Sequence, residues 1–157
     1  MEFGGRDSLT KFYKEKQFTK MITDEITRAK RYGRSFSMMF IETETEPADP
    51  KNLLRYPMLR HCSKVIRELI RKVDIPGRMG DKLILGLPEL GNDSAKKMAE
   101  RILGELGNVE FTNDGLALRI MGKIGIAVYP ESGESAELLI KAAEKALGDH
   151  PVQSQGK

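Results

Sequence analysis

The sequence predicts an α+β sandwich in which helices pack on a mixed central β-sheet. Three observations lead there. Apolar residues recur by turns at helical spacing and in short strand-like runs along most of the chain. A hairpin signal, Gly80-Asp81 between two apolar runs, breaks the alternation at its centre. At 157 residues, 39% hydrophobic and 31% charged, the chain has the size and composition of one folded domain.

Phe18, Met21, Ile22, Ile26 and Ala29 repeat at helical spacing, and Gly33 is placed to close that helix. Ser35 to Ile41 is a short apolar run of the kind that forms a buried strand. Thr43 to Lys51 is acidic and contains Pro47 and Pro50, which predicts a loop. Leu54, Met58, Cys62, Val65, Ile66, Leu69 and Ile70 form the apolar stripe of a second helix. Asp74 to Arg78 and Lys82 to Leu87 flank the hairpin turn, with Pro76 weakening the first strand. A third helix carries Ala95, Met98, Ala99, Ile102, Leu103 and Leu106, with Asn92 or Ser94 as N-cap and Gly107 as C-cap. Val109 to Phe111, the turn Asn113-Asp114-Gly115 and Ala117 to Val128 read as strand, turn and long strand. Ser132 or Ser135 starts a last helix through Leu138, Leu139, Ala142 and Leu147, and the polar tail from Gly148 to Lys157 reads as a frayed end. The order is α-β-α-β-β-α-β-β-α in a single domain over 1–157, with its core at about 7–147.

Composition excludes several function classes. The net charge of +3 comes from 26 basic and 23 acidic residues mixed along the chain, which does not mark a nucleic-acid surface. Aromatics are 6% and Trp is absent, so no base-stacking platform is expected. The one cysteine, Cys62, admits no internal disulfide and points to a reducing, cytoplasmic setting. No apolar run approaches the roughly 18 residues of a membrane span, and the first seven residues hold no signal-peptide core.

Several stretches, in order and at near-regular spacing, resemble one family. Asp7-Ser8-Leu9-Thr10 resembles the Asp-x-Leu-Thr opening of GGDEF domains. Phe36 to Glu44 resembles their first strand, and Arg71-Lys72-Val73-Asp74 before the hairpin resembles their RxxD inhibitory motif. Leu87-Pro88-Glu89, Ala99-Glu100-Arg101-Ile102 and Ile124 to Pro130 are further matching blocks. The chain is thus identified as a degenerate member of the GGDEF, diguanylate cyclase-like family, whose signature has become Met79-Gly80-Asp81-Lys82-Leu83. The resemblance implies a nucleotidyl-cyclase palm-like sandwich and a place in signalling by the bacterial second messenger cyclic di-GMP, which active members make from two GTP molecules.

The resemblance also says what to test. Active members hold Mg²⁺ or Mn²⁺ on carboxylates, because hard cations take oxygen ligands and neutralise charge in phosphoryl transfer. Glu42 and Asp81 fall on those positions and are vestigial metal candidates. Lys82 falls on the second acid of the hairpin, where an ammonium repels a divalent ion and offers no lone pair; it is placed to pair with Glu42 or Glu44 instead. Met79 stands where a glycine lets the backbone approach phosphate. The polar pair that reads guanine falls on Pro50 and Leu59 when counted forward from Glu42, or near Tyr56 when counted back from Arg71. Neither count supplies a donor and acceptor, and each buried group left unsatisfied costs about 1–3 kcal/mol. The segment Ala146 to Pro151 has no Lys at the family's phosphate-gripping position.

The inhibitory motif is the part that stays whole. By the resemblance, Arg71, Asp74 and Arg101 are the cyclic di-GMP ligands: guanidinium forks match phosphate and a guanine edge, and a carboxylate accepts from guanine N1 and N2. The same residues are open to plainer readings, Arg71 and Asp74 as a surface ion pair and Arg101 as a solvated helix residue. The sequence reading is therefore a catalytically inactive GGDEF-like domain, with no catalytic residue and no required cofactor. It would bind cyclic di-GMP and act on an unknown protein partner or a second copy. A ligand-free interaction or dimerisation module is the alternative, and a weak diguanylate cyclase using GTP and Mg²⁺ the third reading.

Overall fold

The computed structural model describes residues 5–155, so the N-terminal reading lies partly, and Gly156 and Lys157 wholly, outside the described residues. The elements run β1 (Tyr13–Lys14), α1 (Glu15–Tyr32), β2 (Phe36–Glu46), α2 (Arg55–Leu69), β3 (Ile75–Met79), β4 (Lys82–Pro88), α3 (Asn92–Asn108), β5 (Phe111–Asn113), β6 (Leu116–Tyr129), α4 (Ala136–Asp149) and β7 (Val152–Gln153). The strands lie in the order β1-β3-β4-β2-β6-β5, and β7 also pairs with β6. Only β1 with β3 is parallel, which makes the sheet mixed as predicted.

Strand alternation distributes the core between two helical layers. Phe36, Met38 and Phe40 of β2 pack with Phe18, Ile22 and Ile26 of α1 and Leu139 and Ala143 of α4. Met39 and Ile41 turn the other way, onto Leu59, Cys62 and Ile66 of α2 and Ala99, Ile102 and Leu103 of α3. β2 is thus buried on both faces, which explains its continuous apolar run. A side chain at Gly125 of β6 would run into the backbone of α4 at Ala143 and Leu147, so its hydrogen lets α4 lie close to the sheet.

Local chemistry sets the turns. Gly33 closes α1 at φ 64°, and Ser135 caps α4 by accepting from the Leu138 N–H. In the hairpin, Met79 pairs with Lys82 across the two-residue turn Gly80-Asp81, with Gly80 at φ 63° as its first position requires. Pro76 is accommodated because β1 covers only Gly77 and Arg78, leaving β3 at the sheet edge where its missing N–H costs no ladder bond on that side.

Three expectations are corrected, and one element is new. The acidic start of the expected loop, Thr43 to Glu46, is strand: β2 continues because long β6 offers it a full partner, with Glu42 opposite Lys123 and Glu46 opposite Arg119. The tail is not frayed up to Gln155. Val152 pairs with Ile124, and Ser154 exchanges two hydrogen bonds with the Gly122 backbone, at 2.7 and 2.9 Å. The third helix is capped by neither Asn92 nor Ser94: Gly91 holds the N-cap position without a side-chain bond, and the helix runs through Gly107 to Asn108. The short β1 had no sequence signal of its own, since two residues carry no periodicity.

Cys62 is buried in the α2 layer, and burial, offset only partly by a hydrogen bond with Thr43, pushes its thiol up to about 12. The expected result is no labelling of native protein by a thiol reagent at mildly alkaline pH, with full labelling after unfolding by denaturant. Rapid labelling of the native protein would contradict this packing.

Candidate functional site

Two places gather the residues singled out in the sequence: the hairpin with the end of β2, and the turn after α2. At the first, Ile41 and Leu83 are the last β2–β4 pair, so Glu42 and Lys82 leave the two strands side by side. Lys82 Nζ lies 3.8 Å from Glu42 Oε2, one of the two partners, Glu42 or Glu44, expected from the sequence. Asp81 at the turn pairs with Arg55 from the first turn of α2, at 3.2 Å. Each carboxylate at the vestigial metal positions therefore faces a side-chain cation. Among the described residues, no three His, Cys, Asp or Glu side chains lie together as a group that could hold a metal by themselves. A divalent ion there would compete with Lys82 for Glu42 and with Arg55 for Asp81.

The hairpin is braced further by residues that sequence reasoning did not single out. Arg78 donates through Nε to the Gly80 carbonyl oxygen at 2.8 Å and through Nη1 to Asp7, 3.2 Å from each carboxylate oxygen. Asp7 also accepts from the Thr10 N–H at 2.9 Å and from the Thr10 hydroxyl at 2.8 Å. Between the two arginines stands Tyr56. The Arg55 guanidinium lies 4.6 Å and that of Arg78 5.9 Å from its ring centroid, and Arg55 donates to its hydroxyl at 2.9 Å. Asp7 was read only as part of a motif; its bond to Arg78, 71 residues away, gives that motif a physical task.

Of the positions assigned to guanine recognition by counting, Leu59 is 1% exposed and belongs to the core. Pro50 is exposed in the loop before α2. Tyr56, the position reached by counting back from Arg71, is 51% exposed at the start of α2. None offers a carboxylate or amide at the surface.

At the second place, Asp74 is drawn inward: its side chain has no exposed area, against 45% for that of Arg71. Asp74 accepts from the Arg71 backbone N–H at 2.7 Å, from Arg71 Nε at 3.1 and 3.2 Å, and from Nη2 at 2.7 Å. Arg71 Nη2 also donates to the Pro88 carbonyl oxygen at 2.9 Å, tying the end of α2 to the end of β4. This is a bidentate, partly buried pair, stronger than an ordinary surface one. Arg71 Nη1 makes no hydrogen bond among the described residues and remains available on the surface. Arg101 stands on the solvent side of α3, which lies beside α2 on the same face of the sheet; no hydrogen bond or ion pair joins it to Arg71 or Asp74 among the described residues.

The comparisons with known proteins agree with this architecture. The family model "Diguanylate cyclase, GGDEF domain" matches residues 57–155, and the chain belongs to that family. It is 24% identical over 144 residues to the cyclic di-GMP phosphodiesterase NbdA of Pseudomonas aeruginosa, covering 90% of this chain and 18% of NbdA. It is 29% identical over 91 residues to diguanylate cyclase A of Treponema denticola, covering 57% of this chain and 24% of that protein. The chain thus spans under a quarter of the length of either relative. Among solved structures, a sensory box/GGDEF family protein from Caulobacter crescentus superposes with a TM-score of 0.82 at 21% identity, over 92% of this chain and 96% of that one. The FimX GGDEF domain of P. aeruginosa gives 0.81 at 17% identity, over 92% of each chain. The GGDEF domain of DgcB from C. crescentus, solved in complex with c-di-GMP, gives 0.76 at 15% identity, over 92% and 86%. These likenesses show the shared fold.

Burial alone would raise the Asp7 carboxyl, but the hydrogen bonds from Thr10 and Arg78, with the charge of Arg78, outweigh it and hold Asp7 below the usual carboxylate range. A depressed folded value means a stabilisation present above the unfolded pKa and lost as pH falls through the folded one. Asp7→Asn is expected to cost about 1–2 kcal/mol at neutral pH. The gap from the parent should close in strongly acid solution, measured by urea unfolding across pH. A gap independent of pH would show that the charge of Asp7 does not matter.

Proposed function

We propose that this GGDEF domain does not condense GTP and instead serves as a receptor for cyclic di-GMP, binding it through Arg71, Asp74 and Arg101 and passing the bound state to a protein partner or a second copy. The observation that carries the reading is the matching of both hairpin carboxylates to cations, Glu42 to Lys82 and Asp81 to Arg55. A divalent ion entering there would have to displace an ammonium and a guanidinium. A triphosphate would meet no polar pair for its base, since Leu59 is core and Tyr56 offers only a phenol already bonded to Arg55.

The receptor half of the reading is supported by the setting of Arg71. Its fork is oriented by buried Asp74 and by the Pro88 carbonyl oxygen, so little side-chain entropy remains to be lost on binding. Nη1 is left for a phosphate or a guanine edge. Asp74 reaches guanine N1 and N2 only by giving up part of its hold on Arg71. Ligand binding is therefore coupled to the geometry of the turn between α2 and β3. A related GGDEF domain, that of DgcB, has been solved with c-di-GMP bound.

Calorimetry with cyclic di-GMP is expected to show binding to the parent and a loss of roughly tenfold to a hundredfold in Arg71→Ala, the range for removing charge-assisted hydrogen bonds. Incubation with GTP and Mg²⁺ is expected to yield no cyclic di-GMP. Absence of heat with cyclic di-GMP would leave an interaction module in place of a receptor, and product from GTP would overturn the claim of inactivity.

A further inference from the structure

The exposed face of α2 carries a recess of about 420 Å³, formed between the helix and the turn before β1. Arg60, Lys64 and Arg67 border it from α2, and Ser8, Leu9 and Lys11 border it from that turn. Among the described residues, no acidic side chain and no aromatic ring lines it.

Two independent observations give the recess chemical meaning. The first is the stripe on α2. Arg60, Lys64 and Arg67 are exposed and follow one another at four and three residues, the spacing that puts side chains on one helix face. Like charges at that spacing repel and weaken a helix. None of the three, nor Lys11, forms an ion pair among the described residues, although Glu68 stands four residues after Lys64 on the same helix. Arg67 donates through Nε to the Ser63 carbonyl oxygen at 3.4 Å, which orients its fork along the helix. The second is Lys11. Its φ is 66°, a left-handed conformation that glycine adopts at lower cost than lysine. The turn that imposes it is fixed: the Lys11 N–H donates to the Asp7 carbonyl oxygen at 2.7 Å, and Thr10 donates twice to the Asp7 carboxylate. A lysine stands where the backbone favours glycine, and its ammonium completes the cationic rim.

We propose that this recess is the docking site for an acidic segment of a partner protein, an extended stretch with carboxylates at alternate positions. The stripe from Arg60 to Arg67 spans roughly 10 Å. Alternate side chains of an extended chain lie roughly 7 Å apart on one side, so a short run of carboxylates reaches the stripe and Lys11 together. Half-buried Leu9 gives the segment an apolar footing beside the cations. A single inorganic anion is too short to bridge the stripe. A nucleic acid finds no ring in the recess on which to stack a base. A bilayer is flat and meets cations on a convex surface, whereas these line a recess with no exposed large apolar side chain among them to insert. The recess makes no use of Arg71, Asp74 or Arg101, so the inference is independent of the cyclic di-GMP reading.

The test is fluorescence anisotropy of a labelled peptide with glutamate at alternate positions, titrated with the full chain at low and moderate salt and without cyclic di-GMP. The same peptide with glutamine in place of glutamate is the control. The glutamate peptide is expected to bind at least about tenfold more tightly than the glutamine one, and to weaken as salt is added. The double variant Arg60→Ala/Lys64→Ala should lose at least about tenfold. Lys30→Ala/Lys141→Ala, an equal change of charge on exposed positions of α1 and α4, should lose less than about twofold. Lys11→Gly should weaken binding by about threefold or more while keeping the parent's thermal midpoint, because glycine suits the left-handed turn. Equal binding of the two peptides, no binding of either, or equal losses in the two double variants would each overturn the proposal. So would tighter binding of a DNA oligonucleotide or of phosphatidylserine vesicles than of the glutamate peptide. Self-association of the parent that disappears in Arg60→Ala/Lys64→Ala would assign the recess to a second copy and overturn it as well.

Discussion

The molecule depends on one strand. β2 is hydrogen-bonded on both edges, to β4 and to β6, and buried on both faces, so both helical layers and the hairpin take their positions from it. Its register with β4 puts Glu42 next to Lys82, and its register with β6 extends the sheet to Glu46. Slipping that register by one residue would exchange Phe36, Met38 and Phe40 with Met39 and Ile41 between the two layers. The candidate sites are therefore only as well placed as this strand is well specified, and its alternation of packed side chains specifies it strongly.

Much of this was legible in the sequence. Helices α1, α2, α3 and α4 followed from apolar spacing, the hairpin from Gly80-Asp81, and of the two caps offered for α4, Ser132 and Ser135, the structure uses Ser135. Two of the failures have a common cause. Composition marks Thr43 to Glu46 and the tail as loop, but β6 is long enough to recruit both, and a strand's partner cannot be read from the strand alone. At the candidate sites, pairs close in sequence or alignable to a motif were visible: Arg71 with Asp74, and Lys82 with Glu42. The braces that cross the fold were not. Arg55 to Asp81 spans 26 residues and Arg78 to Asp7 spans 71, and neither follows a local spacing rule. The inward turn of Asp74 was also illegible, because the same two residues three apart suit either a surface pair or a buried one.

The electrostatics of the hairpin follow from a substitution of charge type. A metal centre concentrates positive charge in one ion coordinated by several oxygens. Here the positive charge is split between two side chains, each anchored to its own helix or strand and each facing a single carboxylate. The pairs are partly exposed, so each contributes little to stability. Each carboxylate is instead shared with a side-chain cation that any further cation would have to compete with.

The bond from Arg71 to the Pro88 carbonyl oxygen has a mechanical consequence. Pro88 ends β4, and Lys82 begins it at the hairpin, so the two places are in series along one seven-residue strand, roughly 20 Å long. A strand clamped between β3 and β2 is stiff along its axis and soft only at its ends. Arg71 thus anchors one end of β4 through Pro88, while Arg78 and Arg55 brace the turn at the other.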